Sequence, residues 1–214
     1  MAITTSQIAE LRAKTGAGMM DCKSALDESN GDFDKAVETL RKKGVAKAAK
    51  RAGKITAEGL VYSYIHGEGK MGVLLELNCE TDFVGKTDHF KALANDIAMH
   101  IVAASPKFLS SEEVTEEEMA KEEKFHREQL AAEGKPAEMI EKIVAGKMGK
   151  YYSEICLLEQ AFIKDENKTI SQLLVDKTVE IGEKITIRRF TRYELGEGIE
   201  KKVVDFVKEV EEQM

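Results

Sequence analysis

Glu80 and Asp82 stand two residues apart in the stretch Asn78-Cys79-Glu80-Thr81-Asp82-Phe83-Val84-Gly85-Lys86. Paired carboxylates are the residue types that general acid–base chemistry uses. Nothing near them marks an activated nucleophile, a metal set or a cofactor fingerprint. Gly67-Glu68-Gly69-Lys70 has neither the spacing nor the Ser/Thr of a phosphate-binding loop. The three cysteines, Cys22, Cys79 and Cys156, are odd in number, far apart and without a CxxC pair, so they read as reduced, buried thiols. Cys156 could meet a histidine only in space, with no local signature for it. The four histidines show no metal-ligand spacing with the cysteines. What remains is recognition chemistry. Phe83, a large aromatic, sits beside a carboxylate and between β-branched Thr81 and Val84. In one reading Phe83 and Val84 tuck under the next helix as a staple and Asp82 caps it. In the other Phe83 is an exposed anchor for a partner protein.

The elements around this stretch decide where it sits. Met71 to Leu77 reads as a buried strand, and a helix begins at Thr87, so the stretch is a strand-to-helix turn. Leu60–His66 and Lys70–Cys79 form a hairpin across Gly67-Glu68-Gly69. Met71, Val73, Leu75 and Leu77 point to its more buried face and Leu74 to the other. Phe90, Leu93, Ala94, Ile97, Ala98, Ile101 and Val102 mark an amphipathic helix that ends near Pro106 and packs on the sheet. An acidic helix over 110–133, with a Thr115/Glu118 capping box, turns at Gly134-Lys135-Pro136 into a second helix carrying Met139, Ile140, Ile143 and Val144. The two form an antiparallel hairpin. Leu173, Leu174 and Ile181 mark another helix, and Glu183–Glu194 alternates as a third strand. Ile199, Val203, Phe206, Val207 and Val210 give a terminal amphipathic helix.

Before the sheet, residues 1–44 read as three short helices. Thr4 and Gln7 cap the first, and Thr15-Gly16-Ala17-Gly18 breaks it. The second carries Met19, Met20, Cys22, Ala25 and Leu26. The third shows Phe33, Ala36, Val37 and Leu40 and is expected to stop at Gly44. Met19 and Met20 either fill the small core or form an adaptable contact surface. Seven basic residues between Arg41 and Lys54, with no acid among them, read as a solvated linker helix, with RNA contact as the weaker alternative.

A 43% hydrophobic and 33% charged chain folds as a globular protein. Its net charge of −7 argues against general nucleic-acid binding. No apolar run reaches membrane length, and the first residues lack a basic-then-apolar leader pattern, so a cytoplasmic protein is expected.

Leu11 through Lys23 and Glu76 through Val84 resemble the two signature stretches of the bacterial translation elongation factor Ts family, in order and spacing. Ile97 to Pro106, Glu133 to Gly146 and Tyr193 to Gly198 fit as well. The resemblance implies an α+β fold with a ubiquitin-associated-like three-helix module followed by an antiparallel sheet packed with helices and a helical hairpin. It places that module with its basic linker at 1–54, the core at 55–196 with the hairpin near 112–148, and a terminal helix at 197–214. It implies a guanine nucleotide exchange factor that binds elongation factor Tu in its GDP form, with no covalent chemistry, cofactor, metal, nucleic acid or membrane. Thr81, Asp82, Phe83 and Val84 match the motif that disturbs the partner's Mg²⁺ site, and Leu11, Met19 and Met20 fall in the stretch that contacts its nucleotide domain. Two departures stand out. Gly85 replaces an expected serine or alanine and adds backbone freedom, and the chain is short for the family, which implies a homodimer. The rival reading is an adaptor for a ubiquitin-like protein or RNA, without exchange activity.

Overall fold

The computed structural model describes residues 3–199. The expected terminal helix over 197–214 lies almost wholly outside them. The fold is α+β: a helical N-terminal part, an antiparallel three-stranded sheet with helices on one face, and a helical hairpin.

Helix α1 (Thr5–Thr15) starts with a full Thr4/Gln7 capping box, and α2 (Met19–Glu28) follows the glycine-bounded break. Helix α3 (Phe33–Arg51) is capped by the Asp32 side chain. Ile8, Leu11, Cys22, Ala25, Leu26, Ala36 and Leu40 close a small core between the three. The expected stop at Gly44 does not occur. Gly44 is buried where α3 crosses the later helix α8 (Ile170–Ile181), and a Cβ there would lie 3.4 Å from Val179 Cγ2. The missing side chain admits a neighbouring helix, and the alanine-rich run that follows has no reason to break. The linker is therefore the second half of α3.

Strands β1 (Glu58–His66) and β2 (Met71–Cys79) form a hairpin, and β2 also pairs with β5 (Thr186–Glu194), so β2 is central. Leu75 stands between Tyr62 and Phe190. Val73, Leu75 and Leu77 point to one face, where they meet Phe90, Leu93, Ile97 and Ile101 of α5 (Asp88–Ala104). Each such burial contributes about 1.5–3 kcal/mol, which holds α5 on the sheet and the β2–α5 turn at its edge. Between them lies a single helical turn, α4 (Asp82–Gly85). Helices α6 (Glu116–Ala132) and α7 (Ala137–Ile155) form the hairpin around Leu130, Val144 and Met148. A small ribbon of β3 (Ala161–Phe162) and β4 (Asp165–Thr169), not anticipated from sequence, leads into α8 (Ile170–Ile181).

Gly59 fixes the close pairing at the start of the sheet. Its φ is +134°, and a Cβ would sit 2.2 Å from the Leu77 carbonyl oxygen. Gly59→Ala therefore combines backbone strain with a clash against backbone that cannot yield. The expected cost is more than about 3 kcal/mol of stability, read as a fall in the guanidinium midpoint; a loss below about 1 kcal/mol would contradict the geometry.

Candidate functional site

The turn after β2 is built from its backbone outward. Thr81 precedes α4 in extended conformation, but its hydroxyl does not cap the helix. Instead Thr81 Oγ1 donates to Glu183 Oε1 at 2.7 Å, and the Thr81 and Glu80 N–H groups donate to Glu183 Oε2 at 3.0 and 3.1 Å. The hold is reciprocal. Glu80 Oε1 accepts from the Lys184 N–H at 2.7 Å and from Arg51 Nη1 at 2.7 Å. Lys184 Nζ in turn donates to the Ala52 and Lys54 carbonyls beyond the end of α3. The Lys184 amide, then the Arg51 guanidinium, hold the Glu80 carboxyl below its ordinary value. Glu183, Lys184 and Arg51 escape a reading of the motif alone, because they lie about 100 residues after it or 30 before it.

On the other side of the turn, Gly85 is buried, and a Cβ there would meet the Gly59 oxygen and Cα at 3.0 and 3.1 Å. This corrects the expectation of added freedom: Gly85 permits a close backbone contact that restrains α4. Val84 packs against the main core, and its carbonyl accepts from Thr87 Oγ1 at 2.8 Å. The Cys79 thiol is buried and donates to the Thr81 carbonyl at 3.1 Å; burial raises its pKa.

Phe83 is left 80% exposed on this fixed turn. The two readings of the stretch thus divide between two residues: Val84 tucks in and Phe83 projects. Asp82, at the first position of α4, accepts from Lys86 Nζ at 2.5 Å, and this contact is the main cause that lowers its pKa. The carboxylate is ionised at neutral pH beside the exposed ring.

The N-terminal stretch borders the same region. A groove runs between the two, with Arg12, Ala13 and Met19 on one side and Val84, His89 and Ile181 on the other. Met19 and Met20 are exposed at 54% and 75%. Leu11 is the exception among the sequence candidates. It is fully buried between α1, α2 and α3, so it cannot touch a partner and can only shape the helices that do. The basic half of α3 is largely occupied: Lys42 pairs with Glu38, Lys43 with Glu28, Lys47 with Asp21 and Arg51 with Glu80. A surface whose cations already hold carboxylates presents a weakened field to phosphate.

His100, from the Ile97–Pro106 stretch, has a structural place. It is fully buried, its Nδ1 accepts from the Ile163 N–H at 3.3 Å, and its Nε2 lies 3.0 Å from Gln160 Oε1. Burial lowers its pKa, so it is neutral. Among the described residues, Cys22, Cys79 and Cys156 are free and buried, no group of three or more potential metal ligands gathers, and no helix is long and apolar enough to cross a membrane.

The family model described as Elongation factor TS matches residues 4–197. The chain is 56% identical over 212 residues to Elongation factor Ts of Desulfitobacterium hafniense, covering 99% of this chain and 98% of that protein. It is 56% identical over 208 residues to that of Carboxydothermus hydrogenoformans, covering 97% and 96%. It is 54% identical over 210 residues to that of Geobacter sulfurreducens, covering 98% and 97%. These relatives share its compact length.

The lowered pKa of Glu80 sets a pH test. A group whose pKa is lowered on folding contributes stability above its unfolded value and loses it as pH falls through the folded value. Wild type should therefore exceed Glu80→Gln in stability by a constant margin near neutral pH, and the margin should shrink on acidification below about pH 4.3. Urea denaturation at a series of pH values reads this; a margin that widens in acid would contradict it.

Proposed function

The chain belongs to the elongation factor Ts family, and from that we propose that it is a guanine nucleotide exchange factor for elongation factor Tu, acting on the GDP-bound form during translation elongation. The observation that carries this reading is Phe83: a large aromatic held out of the core on a helical turn whose backbone is tied down on both sides. Burying an aromatic of this size normally stabilises a protein by a few kcal/mol. Exposed beside an ionised Asp82, it is suited to burial in another protein.

In this reading Phe83 enters between elements of the GTPase and displaces those that hold Mg²⁺ and phosphate, with Thr81, Asp82 and Val84 presenting it. Mg²⁺ neutralises phosphate charge, so moving its ligands weakens the nucleotide. The Asp82 carboxylate adds a negative charge to the displaced region. Met19 and Met20 contact the nucleotide domain, where flexible thioethers adapt to an uneven surface. No covalent step is involved. Factor and nucleotide weaken each other's binding by the same factor, and the more abundant nucleotide rebinds. A coupling of a few kcal/mol suffices.

The chain acts as a homodimer in this reading. The sheet face away from α5 supports it. Ile65 lies over Gly72, with Tyr193 in the next strand, and Val61, Leu74 and Tyr193 are exposed. A second copy covering this face would complete a two-layer core.

Two outcomes are expected. Phe83→Ala should slow release of labelled GDP from elongation factor Tu by more than about tenfold, from a loss of ~2 kcal/mol, while its own stability stays within ~0.5 kcal/mol of wild type; an unchanged release rate would exclude the wedge. Light scattering at micromolar concentration should give the mass of two chains, and Leu74→Glu should give the mass of one; one chain for wild type would exclude the dimer.

A further inference from the structure

We propose that Glu183 is the positioning residue for the Phe83 wedge, acting with Glu80 as a clasp that closes the end of the β2–β5 pair and aims α4. The proposal rests on the exchange role assigned to Phe83 above.

The last paired residues of the two strands are Asn78 and Thr186. Beyond them the backbone ladder ends, yet the chains do not separate. The Glu183 side chain takes the Glu80 and Thr81 amides, and the Glu80 side chain takes the Lys184 amide. Each carboxylate does for the opposing chain what a carbonyl does inside the sheet, and each of these bonds is charge-assisted. The clasp thus extends the sheet to the residue that opens α4.

Its value lies in what Phe83 lacks. A ring that is 80% exposed draws little orientation from its own surroundings. A four-residue helix forms too few internal hydrogen bonds to hold itself. Its direction is set at its two ends. Gly85 against Gly59 sets the second end. Glu183 sets the first, and it captures the Thr81 hydroxyl that would otherwise cap the helix. Arg51 carries the same clasp into α3, the long helix of the N-terminal part. The groove side bearing Met19 and the turn bearing Phe83 are then fixed to one frame.

A wedge must act after the partner is engaged. Loosening the clasp should therefore lower the maximal rate of nucleotide release and leave the concentration of factor for half-maximal rate nearly unchanged. Glu183→Gln keeps the shape but turns an amide N–H₂ toward donors, leaving at most one acceptor oxygen. Its release rate at saturating factor should fall at least fivefold, with the half-maximal concentration within twofold. In the Phe83→Ala background the same change should add less than twofold, since nothing is left to aim. Thr81→Ala, which removes one of the three bonds and keeps both carboxylates, should give a smaller loss of the same kind and serves if Glu183→Gln does not fold. Amide hydrogen exchange of the factor alone gives a reading independent of the GTPase: Glu183→Gln should speed exchange at residues 80–84 and leave β2 and α5 protected. Equal effects on rate and half-maximal concentration, full multiplication with Phe83→Ala, or unaltered exchange at 80–84 would each overturn the proposal. If Phe83→Ala itself leaves release unchanged, the wedge reading fails instead, and only the hydrogen-exchange result then bears on the clasp.

Discussion

The crossed hydrogen bonds between residues 80–81 and 183–184 are the constraint on which the rest of the site depends. They occur where an antiparallel pair runs out of backbone partners, at the edge where β2 hands the chain to α5. Buried or half-buried amides at such an edge must find acceptors. Here two glutamates provide them, and the arrangement couples three distant parts of the chain: the end of α3, the turn after β2 and the loop before β5. Phe83 projects from this backbone 80% exposed, and a side chain with few contacts points wherever its backbone points.

The charge distribution follows the same logic. The run from Arg41 to Lys54 looks, as a string, like a cationic arm. In the folded chain Lys43 and Lys47 pair with Glu28 and Asp21 of α2, Arg51 with Glu80 of the β2 turn, and Lys42 with Glu38 within α3. The Lys47–Asp21 pair is exposed and contributes little stability, whereas Arg51–Glu80 is partly buried. They lie along the same helix whose Gly44 meets Val179 and whose Arg51 reaches the clasp. The acidic excess of the chain then lies elsewhere, much of it on α6.

Much of the architecture was legible because it is periodic. The alternation of Val73, Leu75 and Leu77 and the helical spacing from Phe90 to Val102 both report which face is buried. Caps were legible for the same local reason: Thr4/Gln7 and Thr115/Glu118 bond within three residues. Gly44 misled because a glycine in a helix is ambiguous between an end and a crossing. The β3–β4 ribbon escaped because strands of two and five residues carry too little pattern.

The sequence by itself determined the alternating elements, their caps, the fold class and, through its motifs, the family. It also marked Thr81 to Val84 as unusual. Only the tertiary structure decided which aromatic or aliphatic side chain faces out, since successive residues of a helical turn point in different directions and the anchoring contacts come from Gly59 and Glu183. It showed that Leu11, a contact candidate through the resemblance, lies wholly in the core, and it turned Gly85 from a point of freedom into a point of contact. The physical reason is one of range. Periodicity and capping are local and can be read along the chain, whereas the orientation of an exposed side chain is set by contacts between residues that the fold, not the sequence order, brings together.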